Sequence, residues 1–326
     1  MTTKKNIYTL SNTSSMMPIT STKIAGVNLN SYVFNASGPM DVTHNELIVI
    51  AKSESSAITM KSCTIEPRKG NEEPRYTDIK YGSINSMGLP NLGYKEYIKI
   101  SSKLKKYSKP IIASIAGLCE EDYTTMVLAF QKSEVDLIEV NLSCPNIKGK
   151  PQVAYDFEQS ERIIRNISNL GKKPIGLKLP PYYDFAHHQQ MAEIIKSYSI
   201  KFITLINSIG NAIYIDAETE SVVIKPKLGF GGLGGHYIKP VALSNVRKFY
   251  ELLGKKVDII GCGGIYTGRD AFEYLLAGAS SVQLGTVYMQ EGQTCFGRIN
   301  KELSDILERK GYKSIGEVKG KLRYIE

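Results

Sequence analysis

No stretch of the chain approaches the roughly 20 uninterrupted apolar residues that a membrane-spanning helix needs, and the polar opening MTTKKNIYTLSNTSS lacks the apolar core of a secretory signal. A cytoplasmic protein with no membrane partner is expected. Cysteine is sparse, with five residues at positions 63, 119, 144, 262 and 295. No C-x-x-C pair occurs, and the scatter is too wide for a zinc or iron–sulfur ligand set, so free thiols in a reducing compartment are expected. Histidine is scarcer: His236 stands in a glycine-rich stretch, His187 and His188 open an outer helix, and none has a metal-ligand partner at a recognisable spacing. No metal is expected. Acidic residues fall short of basic ones, 32 against 41, and the net charge of +9 favours anionic ligands. The lysines are dispersed, however. Pairs such as Lys105, Lys106 and Lys255, Lys256 suit solvated helix and loop ends, so no nucleic-acid partner is expected.

With 42% hydrophobic and 22% charged residues the composition is that of a globular protein, and 326 residues accommodate two ordinary domains or one large barrel. Eight short β-rich apolar runs decide between them: VFNASG (33–38), AITMKS (57–62), PIIASIAG (110–117), LIEVNLS (137–143), PIGLKLP (174–180), FITLINS (202–208), DIIGCGG (258–264) and SVQLGTV (281–287). Between them, segments such as EQSERIIRNISNL, QQMAEIIKSYSI and AFEYLLAGA place apolar residues three and four apart, as outer helices do. The alternation predicts parallel strands joined by helices, and no linker divides the chain. The expectation is an α/β fold, a single (β/α)₈ TIM barrel over 1–326. Its connections 63–109 and 209–240, and the loop 144–158, are long enough to carry function.

Polar residues and glycine crowd the ends of these strands: Ser37, Lys61, Asn141, Lys178, Asn207, Gly263 and Gly285. In such barrels that rim holds the active site. After the seventh strand come Gly263 and Gly264 and a helix opening at Thr267; after the eighth come Gly285 and Thr286; Gly234 and Gly235 belong to the long sixth connection. Loops after strands seven and eight with a helix N-terminus form a common phosphate site. A Gly-Gly turn by itself needs no ligand, and these residues do not separate a flavin nucleotide from a sugar phosphate. At the end of the fourth strand Cys144 lies between Asn141 and Asn146, next to Pro145, on a loop with Lys148 and Lys150. Cysteine is commonly a small buried apolar residue, but near positive charge it can serve as nucleophile or base. The residues leave both readings open for Cys144, favour core packing for Cys262 and do not decide Cys63.

The motifs resemble, over nearly the whole chain, the soluble fumarate-using (class 1A) dihydroorotate dehydrogenases. They are NASG at 35–38, MKS at 60–62, GSINSMGLPN at 82–91, NLSCPN at 141–146, KPQVAYDFE at 150–158, LKLPPY at 177–182, INSIGN at 206–211, KPKLGFGGLGG at 225–235, GCGGI at 261–265 and QLGT at 283–286. The resemblance implies FMN at the barrel mouth near Ala36, Ser37 and Gly38, with its phosphate on Gly234, Gly235, Gly263, Gly264, Gly285 and Thr286. Lys61, Ser62, Asn141, Lys178 and Ile206 would line the isoalloxazine. Lys61, Asn85, Met87, Gly88, Leu89, Asn141, Asn146, Asn207 and Ser208 would hold dihydroorotate or orotate. Cys144 would take the C5 proton while hydride leaves C6 for flavin N5, with Lys61 assisting, in the pyrimidine-forming pathway to UMP.

The quinone-linked relatives carry a membrane-associating segment and a serine base, which this sequence does not show. The NAD-linked class works with an iron–sulfur partner subunit and resembles the NSMGLPN and GFGGLGG stretches less. Fumarate, giving succinate, is therefore the expected acceptor, and the resemblance implies a homodimer. Visible departures are Pro39 and Met40 after NASG and a longer N-terminus. An FMN-dependent tRNA dihydrouridine synthase, also with a catalytic cysteine, is disfavoured because little chain follows the eighth strand. A flavin-free phosphate-binding barrel is the other alternative, and a yellow protein excludes it.

Overall fold

The computed structural model describes residues 17–144 and 152–325. At its centre are eight parallel strands, β1 (Val33–Asn35), β2 (Ile58–Thr59), β3 (Ile111–Ile115), β4 (Leu137–Asn141), β5 (Ile175–Leu179), β6 (Phe202–Leu205), β7 (Asp258–Cys262) and β8 (Ser281–Leu284). Each lies inside one of the eight apolar runs and is shorter, because the runs continue into the rim loops. Hydrogen bonds join neighbours from β2 round to β8, and β8 to β1. A side chain completes the remaining seam: the buried Asn35 amide accepts from the Thr59 N–H at 2.9 Å and donates to the Thr59 carbonyl at 2.7 Å. The architecture is the expected (β/α)₈ barrel.

Period-two alternation sorts the strand side chains into two cores. One parity, including Ile111, Ala113, Ile138, Val140, Leu177 and Ile203, packs outward against the helices. The other parity faces the barrel axis, where Phe34, Ala57, Ile112, Leu137, Phe202 and Ile260 form a separate buried cluster. An antiparallel hairpin, Thr22–Ile24 with Val27–Leu29, closes this end and adds Ile24 and Leu29 to the cluster. Gly176 makes the plug possible, since a Cβ there would lie 2.4 Å from the Phe202 ring. One layer above, the fully buried Glu139 accepts hydrogen bonds from Ser114 Oγ (3.2 Å), Thr204 Oγ1 (2.7 Å) and Gln283 Nε2 (3.1 Å).

The outer helices are α1 (His44–Lys52), α2 (Tyr94–Leu104), α3 (Glu120–Gln131), α4 (Phe157–Ile167), α5 (Phe185–Ser197), α6 (Lys239–Leu253), α7 (Gly268–Ala277), α8 (Thr286–Glu291) and α9 (Thr294–Arg309). In α4 the buried Ser160, Ile163, Ile164 and Ile167 follow a three-to-four spacing, and Asp156 caps the helix by accepting from the Gln159 N–H. His187 and His188 fall in α5; His188 is buried between the Asp184 carbonyl and Asn245, so its role is packing.

The two long connections are not irregular. Tyr76–Ile79 and Gly82–Asn85 from 63–109 join Gly231–Gly235 and Ile209–Ala212 from 209–240 in one antiparallel sheet. The first connection also contains α2. Gly82 and Gly235 meet where a Cβ on Gly235 would lie 2.2 Å from Gly82 Cα, so glycine here lets the two connections touch. Of the loop 144–158, residues 145–151 lie outside the described set, and Asn146 with them.

Candidate active site

A cavity of about 470 Å³ opens at the carboxyl ends of the strands, roofed by the sheet from the two connections. Every site residue expected from the sequence that lies among the described residues lines it. Ala36, Ser37 and Gly38 follow β1; Lys61 and Ser62 follow β2; Asn141 ends β4 and Cys144 follows it; Lys178 lies on β5. Ile206, Asn207 and Ser208 follow β6, while Asn85, Met87, Gly88 and Leu89 come from the first connection. Gly234, Gly235, Gly263, Gly264, Gly285 and Thr286 gather at the other end.

The polar residues of the floor hold one another. Lys61 and Lys178 are only 5% and 2% exposed. The Lys61 ammonium donates to the Gly38 carbonyl, and Lys178 Nζ lies 3.4 Å from the Ser37 carbonyl. Asn141 Nδ2 donates to Ser62 Oγ at 3.0 Å, and Asn141 Oδ1 accepts from the Ser143 N–H and hydroxyl at 3.0 and 2.9 Å. Ser62 Oγ in turn meets Ser37 Oγ at 3.0 Å and Ser114 Oγ at 2.8 Å, linking the floor to the Glu139 layer. Asn207 Nδ2 donates to both the carbonyl and hydroxyl of Ser143 at 3.1 Å, so this amide fixes the segment that carries Cys144.

Three cysteines stand near the rim, and their surroundings differ. Cys63 is fully buried, and burial pushes its thiol far up. Cys262 ends β7 and is buried with its thiol also pushed up by burial, yet it touches the cavity as well as the core, which the packing reading from sequence left out. Cys144 is half-buried, and a negative charge on it is among the influences that raise the proton affinity of Lys61. Burial acts the other way and holds the Lys61 ammonium below the usual lysine range, the Asp41 carboxylate being the largest opposing influence.

At the glycine end, Gly263 and Gly264 have φ of 129° and 68°, a backbone region that side chains disfavour. The α7 N-terminus was expected to face an anion, and the structure corrects this. Asp270 accepts from the N–H groups of Tyr266 and Thr267, Gly268 N–H donates to Glu302, and Lys239 pairs with Asp270 at 2.6 Å. The N–H groups of Tyr266, Thr267 and Gly268 are thus taken by carboxylates and that of Asp270 by the Thr267 hydroxyl, while Gly264, Gly285 and Thr286 line the cavity beside them. Ser83 Oγ lies 3.2 Å from Thr286 Oγ1 beside it, and the Tyr266 ring, stacked on His236 with centroids 3.9 Å apart, completes this wall. Ser83 and Tyr266 were not singled out in the sequence, although Ser83 stands inside the GSIN stretch. Among the described residues no group of His, Cys, Asp or Glu could hold a metal ion, and no helix is long and apolar enough to cross a membrane.

Residues 19–307 match the family model for dihydroorotate dehydrogenase. The chain is 49% identical over 311 residues to a putative dihydroorotate dehydrogenase A (fumarate) of Streptococcus equi, covering 94% of this chain and 99% of that protein. It is 48% identical over 306 residues to the dihydroorotate dehydrogenase A (fumarate) of Lactococcus lactis, covering 93% and 98%. The structure of DHODH from Eimeria tenella with ferulenol superposes with a TM-score of 0.80 at 21% identity, covering 92% and 88%, which is a likeness of fold. The family model spans most of the chain, and near-half identity extends over more than nine-tenths of it: this protein belongs to the dihydroorotate dehydrogenase family.

Proposed function

We propose that the protein oxidises dihydroorotate to orotate with bound FMN and passes the electrons to fumarate, as a cytoplasmic homodimer supplying pyrimidine synthesis. The observation that carries this reading is the convergence, in one cavity, of two buried lysines, buried amides and a half-buried cysteine at one end with a glycine-lined wall at the other. The names of the relatives in Streptococcus equi and Lactococcus lactis support fumarate as acceptor.

Support for FMN comes from space and donors. A Cβ on Gly38 would meet nothing within 4 Å, and one on Gly285 only the Ala36 Cβ at 4.0 Å, although both glycines line the cavity. Side chains there would fill room that a flat ring system and its phosphate need. The backbone of Gly264, Gly285 and Thr286, with the Ser83 hydroxyl, would hold the phosphate; Ser62, Asn141, Lys178 and Ile206 would border the ring. FMN when bound supplies the hydride acceptor.

The chain supplies the rest. Lys61 pairs with the substrate carboxylate, while Asn85 and Asn141 take ring polar groups; Asn141 keeps one amide hydrogen beyond the one donated to Ser62, its oxygen accepting from Ser143. Asn207 holds Ser143 and so sets where Cys144 stands, with Ser208, Met87, Gly88 and Leu89 enclosing the ligand. Cys144 Sγ removes the C5 proton, and attraction between its thiolate and the Lys61 ammonium favours the charged form that a base needs. Fixed donors around the ring stabilise the negative charge that develops as the proton leaves. Exposed Ile213, Ile215, Val222, Leu228 and Phe230 give an apolar surface suited to a second copy of the chain.

The experiment is direct. The purified protein should be yellow, release FMN on denaturation and lose its absorbance near 450 nm when mixed anaerobically with dihydroorotate, with orotate formed in equal amount. Released FAD, or a flavin that dihydroorotate leaves oxidised, would overturn the reading.

A further inference from the structure

Asp41, between β1 and α1, is fully buried and sits behind Lys61. One carboxylate oxygen accepts from the Gly38 N–H at 2.9 Å; the other is buried with no hydrogen-bond partner and lies 4.0 Å from Lys61 Nζ. The Lys61 ammonium donates to the carbonyl of the same Gly38, and the Lys61 N–H donates to the Asp41 carbonyl at 3.2 Å. Three residues thus close a ring in which Gly38, on the cavity wall, is tied to both side chains. Fastening the turn needs one acceptor oxygen, which asparagine would provide equally. The second oxygen is the unexplained part, because a buried carboxylate atom without a hydrogen bond costs stability unless a charge compensates it.

We propose that Asp41 is a positioning residue whose charge keeps Lys61 an ammonium at a fixed place in the cavity wall, ready for the carboxylate of the substrate. The proposal rests on the reading of Lys61 as partner of that carboxylate. The other ionisable groups around the pair do not replace Asp41. Glu46 is occupied at the start of α1, where it accepts from the N–H groups of Val42 and Thr43 and from the Thr43 hydroxyl. Lys178 has the same sign as Lys61, Cys144 faces the cavity, and Tyr97 and Tyr288, which feel Asp41, are phenols pushed further up by burial. Burial raises the Asp41 carboxyl to about 7 against the opposing pull of Lys61. Asp41 is therefore anionic on the alkaline side of neutrality, where a buried lysine without a counter-charge sheds its proton.

Equilibrium dialysis of orotate against FMN-loaded protein, from about pH 6 to pH 10, tests this with the wild type, Asp41→Asn and Lys61→Ala. Binding needs the ammonium, so affinity falls as pH rises through the Lys61 pKa; removing the negative charge lowers that pKa and moves the fall to lower pH. Asp41→Asn, which keeps an acceptor for Gly38, should shift it by about one unit, a roughly tenfold loss of affinity between the two limbs. The ionisation of orotate itself is common to all samples. Should the asparagine variant fail to load FMN, Asp41→Ser offers a neutral acceptor, with the same shift expected. A limb that stays in place, with Lys61→Ala defective, overturns the role of Asp41 alone. Orotate binding at wild-type strength in Lys61→Ala overturns the functional reading of Lys61.

Discussion

The two ends of the barrel are built from the same strands and have opposite chemistry. Along β4 the axis-facing residues run Leu137, Glu139, Asn141: an apolar plug, a buried carboxylate and a rim amide within five residues. Along β6, Phe202 fills the plug, Thr204 donates to Glu139 and Ile206 lines the cavity beyond the strand. The lower end is sealed by a hairpin and by Phe202 lying over Gly176; the upper end keeps two nearly dry lysines and open glycine-lined space. Position along the strand therefore decides whether a substitution is felt as stability or as chemistry.

That division can be broken at several points. Cys144→Ala at the rim should slow anaerobic flavin reduction by dihydroorotate by roughly 10²–10⁴-fold, about 3–5 kcal/mol of barrier, with FMN content and melting temperature unchanged. A near-normal stopped-flow rate would remove Cys144 as the base. Phe202→Ala in the plug should instead cost about 3–5 kcal/mol of stability by denaturant unfolding and leave orotate affinity close to normal in the folded fraction. A large fall in affinity with little loss of stability would deny the separation of the two ends. Gly176→Ala should destabilise by about 1–3 kcal/mol through overpacking against the Phe202 ring, and less in a Phe202→Leu background; equal costs in both would show that the ring is not what glycine accommodates. Cys262→Ala, ending β7 between core and cavity, should cost only about 1 kcal/mol and keep single-turnover reduction much faster than in Cys144→Ala. The reverse ranking would move the base to β7.

The upper end was far more legible in the sequence than the lower. Eight apolar runs with polar or glycine ends located every barrel strand and the rim residues Ser37, Lys61, Asn141, Lys178, Asn207, Gly263 and Gly285, because function concentrates unusual residues at strand termini; Asn85, Met87, Gly88 and Leu89, off the strands, came from the family resemblance, and Glu46, Arg75 and Tyr76 on the same wall carried no signal. The plug left little signal: the strands Thr22–Ile24 and Val27–Leu29 are three residues each, too short for alternation to stand out. The long connections looked irregular because their sheet pairs residues far apart, with Gly232 beside Asn85 and Gly235 beside Gly82. Asp41 escaped notice for a related reason. An aspartate three residues beyond a glycine reads as an ordinary turn, and its importance depends on the approach of Lys61 from the next strand. Likewise, the carboxylates covering the α7 N-terminus include Glu302, which reaches it from α9.

In the proposed function this chain by itself couples dihydroorotate oxidation to fumarate reduction. Stopped-flow reoxidation of the dihydroorotate-reduced protein by fumarate, NAD and a soluble quinone in parallel, with product analysis, puts this coupling to the test. Reoxidation should be fastest with fumarate, with one succinate formed per orotate and no partner protein present. Fastest reoxidation by NAD or by the quinone, or fumarate left unchanged, would contradict it.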